Sequence, residues 1–266
     1  MSTGGTGRLA GRVAIVTGAG RGIGRAIAID YAREGAKVMV ASRSRGTVEK
    51  VVDEILNSGG TALGITCDVG SREEVNAMVA KTIEHFGGVD VLVNNAQGFG
   101  TAEKPEGSTG YHPLETFPED VWDYTFQTGL KGTLYGMQAV FPYMSEHGGK
   151  IINFGSGNGV TAMKGSAAYN STKEGVRALT RTAANEWGRY SIYVNCIVPT
   201  IVTDSAHAFF ESRPGVQDKL INTIPLKRWG DVERDIGPVA VFLGCADSDF
   251  ITGQTLHVDG GQILHA

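Results

Sequence analysis

The sequence predicts an α/β fold, in which a parallel sheet of about seven strands is covered by helices on both faces. Two observations support this prediction. Short apolar runs alternate with longer amphipathic stretches along the chain, as in strand–helix units with parallel strands. A glycine-rich turn also separates the first apolar run from a helical stretch. The candidate strands are Val13–Thr17, Lys37–Ser42, Ala62–Cys67, Val89–Asn94, Lys150–Phe154, Tyr193–Pro199 and Thr255–Val258.

Length and composition suit one α/β domain with a large core. The chain has 266 residues and no composition shift that would divide it, so we expect a flexible segment at residues 1–8 and a single domain over residues 9–266. The net charge of −4, with both signs interspersed, argues against a nucleic-acid partner. No apolar run approaches the ~20 residues that cross a membrane, and the start lacks a signal-peptide core. We therefore expect a cytoplasmic protein.

The cysteines and histidines favour neither a disulfide framework nor a metal site. Cys67, Cys196 and Cys245 are odd in number and far apart in the sequence. The six histidines form no cluster with the spacing of metal ligands. We predict no metal.

The glycine-rich turn follows the first strand and precedes a helix that begins near Arg25. In this geometry backbone N–H groups and a helix N-terminus meet a pyrophosphate, as in Rossmann-type doubly wound sheets. The spacing departs from G-x-G-x-x-G, because Ile23 stands where the last glycine would fall. A plain glycine-rich turn is the alternative interpretation. The residues expected to contact a dinucleotide here are Gly18, Gly20, Arg21, Gly22 and Ile23.

A second motif carries candidate acid–base chemistry. Tyr169 and Lys173 are four residues apart, so a helix would place them on one face. Ser156 precedes Tyr169 by thirteen residues. An ammonium beside a phenol favours the phenolate and would lower the pKa of Tyr169 from about 10. A phenol tuned in this way can act as a general acid or base, while a serine hydroxyl holds a carbonyl oxygen. An ordinary amphipathic surface is the alternative.

The end of the second strand bears on cofactor choice. NAD-binding units place an acidic residue there to hold the ribose 2′-OH. This chain instead has Ser42 and Arg43, and an arginine suits a 2′-phosphate. We therefore favour NADP(H), with NAD(H) possible, and Arg21 could assist. The alternative is that Arg43 is simply solvated.

Taken together, the glycine turn and the Ser156…Tyr169-x-x-x-Lys173 pattern resemble the short-chain dehydrogenase/reductase family. Four further motifs agree, and the resemblance runs from about Leu9 to Leu264. They are Asp68-Val69 after the third strand, Asn94-Asn95-Ala96 after the fourth, Pro199 at the end of the sixth, and the tail from Ile251 to Gly261. It implies hydride transfer between a nicotinamide and a secondary alcohol or ketone. It also implies a homotetramer or homodimer built on the segments Val121–Tyr143 and Ser171–Trp187 and the last strand, with an apolar stripe of Leu134, Met137, Val140 and Phe141.

The resemblance assigns roles to individual residues. Tyr169 would exchange the proton with the substrate oxygen, and Ser156 would position that oxygen. Lys173 would lower the pKa of Tyr169 and hold the nicotinamide ribose. Further cofactor contacts are implied for Asp68, Val69, Asn95, Ala96, Pro199 and Val202, together with Tyr169 and Lys173.

Two positions depart from the family pattern. Gly129 stands where a catalytic asparagine is usual, and Gln97 replaces the glycine that ends Asn-Asn-Ala-Gly. Gln97 is expected to alter only a turn on the cofactor side. For Gly129 three possibilities stay open: a kinked backbone holds the relay water, Gln127 or Thr128 supplies the contact, or the relay is broken and the enzyme is slow or inactive.

Two long loops are expected to border the site and set the substrate. One is Gln97–Thr116, and the other is the lid segment Thr203–Gly230, which offers Phe209, Phe210, Leu220 and Ile221, with Arg213 the obvious cation. This composition favours an apolar secondary alcohol or ketone, such as a cyclic or steroid-like one. The alternatives are a catalytically impaired nucleotide-binding protein on the same fold and a sugar-nucleotide epimerase or dehydratase.

Overall fold

The computed structural model of the chain describes residues 7–202 and 216–264. The first six residues of the expected N-terminal segment therefore lie outside the described range. The same holds for Phe209, Phe210 and Arg213 of the expected lid.

Seven parallel strands form one sheet, in the order β3-β2-β1-β4-β7-β8-β9. This confirms the predicted doubly wound, Rossmann-type sheet. Each predicted strand is present, with ends that move by one or two residues. The largest shift is at β4, where Asp90 instead uses its carboxylate to accept a hydrogen bond from the N–H of Val13. The bounds are β1 Val13–Thr17, β2 Lys37–Ser42, β3 Thr61–Thr66, β4 Val91–Asn94, β7 Gly149–Phe154, β8 Ile192–Pro199 and β9 Thr255–Val258.

Helices cover both faces of this sheet, and each face has its own apolar core. On β1, Ala14 and Val16 point to one core and Ile15 to the other, because alternate side chains of a strand face opposite ways. Helices α1, α2 and α9 contribute to the first core, and α3, α5 and α7 to the second. The bounds are α1 Gly22–Arg33, α2 Arg45–Asn57, α3 Arg72–Phe86, α4 Glu119–Phe126, α5 Gly132–His147, α6 Gly157–Thr161, α7 Ala167–Trp187, α8 Val216–Thr223 and α9 Gly237–Gly244.

The expected assembly stripe on α5 needs a correction. Met137 and Val140 are completely buried in the second core of their own chain, so they cannot line a surface between subunits. Leu134 is partly buried. The ring of Phe141 packs against that of Trp187, with the two ring centroids 4.8 Å apart. The apolar stripe on α5 was predicted to form an interface between subunits, but Met137 and Val140, half of its residues, belong to the core of their own chain.

The segment between β4 and β7 contains two features that position the site. The loop after β4 forms a short hairpin of β5 (Phe99–Gly100) and β6 (Pro105–Glu106), followed by a 3₁₀ turn at Leu114–Thr116. Helices α4 and α5 are then joined by a π-helical segment, Gln127–Lys131, rather than by a loop. The local helix distortion expected around Gly129 is therefore confirmed.

Within residues 7–202 and 216–264 no helix is both long and apolar enough to cross a membrane. The same residues bring no three His, Cys, Asp or Glu side chains together in a way that would hold a metal ion. The three cysteines are free and buried.

Candidate active site

A cleft of about 490 Å³ opens at the carboxyl ends of the strands, where the strand order reverses between β1 and β4. Ligands of doubly wound sheets bind at such reversal points. The structure brings almost all sequence-predicted site residues to this cleft. Those that line it are Gly18, Arg21, Gly22, Ile23, Ser42, Arg43, Asp68, Val69, Asn95, Ala96, Tyr169, Lys173, Pro199 and Val202.

Two predicted residues lie outside the lining. Gly20 faces α2, where a Cβ atom on it would lie 2.4 Å from Thr47 Oγ1 and 3.2 Å from Ser42 Oγ. Its glycine is therefore required for packing of the turn against α2. Ser156 does not line the cleft itself, and its connection to the site is a side-chain hydrogen bond with Tyr169.

Asn95 fixes the glycine turn to the end of β4. Its Nδ2 donates to the carbonyl of Thr17 at 3.0 Å, which joins the ends of β1 and β4. A Cβ atom on Gly24 would lie 2.6 Å from this Nδ2 and 2.4 Å from Gly18 O. Gly18 itself has φ +65° and would meet the same amide at 2.8 Å. Glycine is needed at both positions because the two strand ends approach so closely.

The end of β2 presents a cation to the cleft. Arg43 donates a hydrogen bond to the hydroxyl of Tyr124 on α4, and this contact holds its guanidinium at the edge of the cleft. Among the described lining residues the other cations are Arg21 and Lys173. Asp68 Oδ1 accepts a hydrogen bond from the N–H of Gly70 at 2.9 Å, and this bond stabilises the turn after β3.

The motif residues meet between α6 and α7. Ser156 begins α6, and its Oγ accepts from the N–H of Asn158 at 3.2 Å. Tyr169 lies in the first turn of α7 and hydrogen-bonds to Ser156. Lys173 follows one turn later, with Nζ 5.6 Å from the centroid of the Tyr169 ring. Its ammonium donates to the carbonyl of Phe154 at 3.1 Å.

Burial moves both titrating groups of this pair toward their neutral forms. It raises the pKa of Tyr169, and the hydrogen bond to Ser156 opposes that shift without cancelling it. It also lowers the pKa of Lys173 to about 8. The expectation that Lys173 lowers the pKa of Tyr169 is therefore wrong for this structure. The physical reason is that both groups lose hydration and the ammonium is directed at Phe154 O rather than at the phenol.

The two departures from the family pattern contact each other. Gln97 was expected to alter only a turn, but its Oε1 lies 2.5 Å from the position that a Cβ atom on Gly129 would take. That expectation is wrong. Gln127 is directed elsewhere, since its Nε2 donates to Gly70 O. Thr128 Oγ1 donates to Tyr124 O at 2.9 Å and accepts from the N–H of Gly98, so it is also occupied.

Several lining residues were not predicted as site residues. Many of them lie in the segments after β4, β7 and β8, and the loop 97–116 was expected to border the site as a whole. The ring of Phe99 packs 5.5 Å from that of Tyr169. The additional lining residues are Cys67, Gln97, Gly98, Phe99, Gly107, Ser108, Thr109, Thr128, Phe154, Gly155, Asn158, Ile201 and Val232.

Comparisons with known proteins agree with this geometry. Residues 18–262 match the family model described as Enoyl-(Acyl carrier protein) reductase. The chain is 37% identical over 259 residues to 12alpha-hydroxysteroid dehydrogenase of Clostridium sp., covering 95% of this chain and 96% of the relative. It is 39% identical over 254 residues to the 3-oxoacyl-acyl-carrier-protein reductase FabG of Staphylococcus epidermidis, covering 94% and 98%.

Solved structures show the same likeness. A gluconate 5-dehydrogenase from Burkholderia cenocepacia, in complex with NADP and tartrate, superposes with a TM-score of 0.85 at 33% identity over 95% of each chain. An NAD⁺-bound xylitol dehydrogenase gives a TM-score of 0.86 at 30% identity, covering 95% of this chain and 99% of the other.

The fold and the site together define a nicotinamide-dependent oxidoreductase. The chain belongs to the short-chain dehydrogenase/reductase family. It is an NAD(P)-dependent enzyme that acts on an alcohol or a ketone. The alternatives of a non-catalytic nucleotide-binding protein and of a sugar-nucleotide epimerase are set aside.

Proposed function

We propose that this enzyme uses NADP(H) to interconvert a neutral, apolar or cyclic secondary alcohol and its ketone, with Ser156, Tyr169 and Lys173 as its catalytic residues. The observation that carries the proposal is that Tyr169 and Lys173 line the same cleft as the glycine turn. A cofactor seated against that turn shares one space with the acid–base pair.

The bound nicotinamide supplies or accepts the hydride, and the side chains handle the proton. In the direction of reduction Tyr169 gives its phenolic proton to the ketone oxygen. Ser156, already hydrogen-bonded to Tyr169, orients that oxygen. Lys173 holds the nicotinamide ribose hydroxyls with the donor positions that Phe154 O does not use.

Tyr169→Phe tests these roles, because it keeps the ring and removes the ionisable hydroxyl. We expect turnover to fall on the order of 10²–10⁴-fold while cofactor affinity stays nearly intact. The matched control is Tyr143→Phe, since Tyr143 is exposed on α5 and does not line the cleft. Unchanged turnover in Tyr169→Phe would refute the assignment.

The preference for NADP(H) rests on Ser42 and Arg43. No carboxylate stands at the end of β2 to bind a ribose 2′-OH, and Arg43 is fixed at the cleft by Tyr124. A fixed guanidinium is pre-organised for fork-like hydrogen bonds to a 2′-phosphate. Arg21 lines the same cleft and adds to the positive potential. Among the relatives, one structure holds NADP and another NAD⁺.

Arg43→Gln tests the preference, with Arg33→Gln as the matched control at the far end of α1. Arg33 pairs only with Asp30 on the surface. Loss of a hydrogen bond to a charged group costs about 1.5–3 kcal/mol, so the KM for NADPH should rise roughly 10- to 100-fold. The KM for NADH should change little. A native enzyme that prefers NADH, or an Arg43→Gln variant that weakens both cofactors equally, would overturn the proposal.

The surroundings of Tyr169 support a neutral substrate. Several described lining residues of the cleft are apolar or carry uncharged polar groups, as with Phe99, Thr109 and Asn158. A carboxylate or phosphate would require a cation there, and the cation beside Tyr169, Lys173, is assigned to the nicotinamide ribose. The 12alpha-hydroxysteroid dehydrogenase among the relatives acts on such a cyclic apolar alcohol by its name. A panel of neutral cyclic ketones, matched with carboxylated analogues, tests this by absorbance of NADPH. A strong preference for the charged analogues would contradict it.

Assembly and location are part of the proposal. Phe250 and Leu264 near the last strand are almost fully exposed, and Tyr143 on α5 is 40% exposed, so apolar surface is available for a symmetric homotetramer. The three free cysteines suit a reducing, cytoplasmic compartment. We propose that residues 9–266 act as one domain after the segment 1–8.

A further inference from the structure

Two buried polar atoms on residues that border Gly129 have no hydrogen-bond partner within the described part of the chain. They are Oε1 of Gln97 and Oγ1 of Thr172. Buried polar atoms in folded proteins nearly always have a partner, whether protein or ordered water. Gln97 Oε1 and Thr172 Oγ1 are therefore two buried acceptors in need of a partner, and Thr172 directly precedes Lys173 on α7.

The orientation of the Gln97 carboxamide is fixed by its nitrogen. Nε2 donates to Gly98 O at 2.8 Å and to Thr125 O at 3.2 Å. A rotated amide would place its oxygen against these two carbonyl oxygens, so Oε1 must occupy the opposite side. That side faces the π-helical segment and the first turns of α7.

Gly129 makes room for this carboxamide. A Cβ atom at residue 129 would lie 2.5 Å from Gln97 Oε1 and 2.3 Å from Thr172 Cγ2. Both atoms therefore border one point, and any side chain at residue 129 would displace the amide. The glutamine at 97 and the glycine at 129 are a matched pair, in which the amide group comes from the loop after β4 and not from the helix.

Lys173 lies directly after Thr172 and has donor capacity to spare. The ammonium has three N–H groups, and the hydrogen bond that the described residues give it goes to Phe154 O. Its side chain is 5% exposed. Gln97 and Lys173 both line the cleft, so the two side chains border the same space.

We propose that Gln97 is the positioning residue of the proton path, holding through Oε1 a water molecule that accepts a hydrogen bond from Lys173 Nζ. In alcohol oxidation the Tyr169 phenolate accepts the substrate proton. Lys173 passes a proton to this water, which releases one to solvent, and the neutral lysine then takes up the proton of Tyr169, so that both groups return to their starting forms. Only O–H and N–H bonds form and break. The proposal rests on the proposed function for the roles of Tyr169 and Lys173.

The test variant is Gln97→Met, which keeps nearly the same volume and removes the amide. Gln138→Met is the matched control, because Gln138 is exposed on α5 and its amide oxygen accepts a hydrogen bond from Arg72 rather than from a residue of the site. The first readout needs neither cofactor nor substrate: the pKa of Lys173 by NMR of ¹³Cε-labelled lysine. Loss of an acceptor that stabilises the ammonium should lower it by about one unit, as the energy of a charged hydrogen bond implies. The control should not move it.

The second readout is the pH profile of kcat with any accepted alcohol. It should shift with the Lys173 pKa in Gln97→Met, with little change in KM. A merely structural role would instead alter KM, or both constants without a shift in pH. If Gln97→Met does not fold, Gln97→Asn withdraws the amide by one methylene and should give a smaller shift in the same direction.

A rescue variant moves the amide back to the helix. Gln97→Gly with Gly129→Asn vacates one position and fills the other, and Thr172→Ser removes the Cγ2 atom that would block the new side chain. The combination should restore the Lys173 pKa to within a few tenths of a unit, and Thr172→Ser alone should leave it unchanged.

The outcomes separate this proposal from the proposed function. A Lys173 pKa that is the same in Gln97→Met and in the native protein overturns the water bridge, whatever Tyr169→Phe shows. A shifted pKa with normal turnover in Tyr169→Phe supports the bridge and refutes the catalytic roles. A high-resolution crystal structure without a water between Gln97 Oε1 and Lys173 Nζ also overturns the proposal.

Discussion

Replacement of Gly129 by alanine tests the packing on which the site depends. In an ordinary helix this change is favourable, because alanine exceeds glycine in helix propensity by about 1 kcal/mol. Here the added Cβ atom would lie 2.3 Å from Thr172 Cγ2 and 2.5 Å from Gln97 Oε1. Both distances are far shorter than van der Waals contact, so a neighbour must move.

Neither neighbour can move without loss. Thr172 is completely buried on α7, and overpacking at such a position costs about 1–3 kcal/mol. Gln97 is held by hydrogen bonds to Gly98 O and Thr125 O, each worth about 1 kcal/mol. After allowance for helix propensity, we expect Gly129→Ala to lower the free energy of unfolding by roughly 2–4 kcal/mol.

Gly46→Ala is the matched control, since it places the same methyl group in the first turn of α2 with no atom within 4 Å. It should leave stability unchanged or raise it by up to about 1 kcal/mol. Urea unfolding followed by circular dichroism, at one pH and one protomer concentration, measures both variants. A Gly129→Ala variant as stable as the native protein would refute the reasoning.

Three further predictions concern the turn, the buried lysine and the assembly. Gly24→Ala should weaken NADPH binding at least tenfold in a fluorescence titration, because its Cβ atom would lie 2.4 Å from Gly18 O and distort the turn; binding within twofold of native would contradict this. Burial lowers the pKa of Lys173 in the folded protein to about 8, against an ordinary value of 10.5. The unfolded chain therefore holds that proton more tightly, and the free energy of unfolding rises with pH between these two values. Lys173→Met should therefore be more stable than the native protein at pH 7, by up to about 3 kcal/mol, and lose this advantage toward pH 10.5; an advantage that does not vary with pH would exclude the mechanism. Light scattering at micromolar concentration should give a mass near four times 28.1 kDa, whereas a monomer would rule out the tetramer.

The sheet could be predicted from the sequence because its central strands β1, β4 and β7 are buried on both faces. A strand such as β1, with every residue buried, must be apolar throughout, and such runs stand out between amphipathic helices. The β5–β6 hairpin could not be found in the same way. Its strands have two residues each, which is too short for any periodicity. The buried half of the α5 stripe shows a related limit, since core and interface have the same composition.

For the site, the sequence indicates which groups are present but not how they meet. Gln97 and Gly129 are separated by more than thirty residues, and only the structure shows that one fills the space left by the other. The direction of the Tyr169 pKa shift likewise could not be predicted from the sequence. Spacing places Lys173 one helical turn from Tyr169, whereas the shift depends on burial and on Phe154 O, which belongs to β7.

The protonation states of this pair bear on the direction of catalysis. Burial raises the pKa of Tyr169 and lowers that of Lys173 to about 8, so at neutral pH the phenol is protonated and the lysine mostly charged. With Tyr169 as the proposed acid–base group, this is the form that donates a proton to a ketone. Alcohol oxidation requires the phenolate, which an ammonium directed at Phe154 O does little to stabilise. At neutral pH the pair therefore starts in the form from which a ketone can be protonated. Oxidation depends on an exit for the proton, which is the step that Gln97 and its neighbour Gly129 are placed to control.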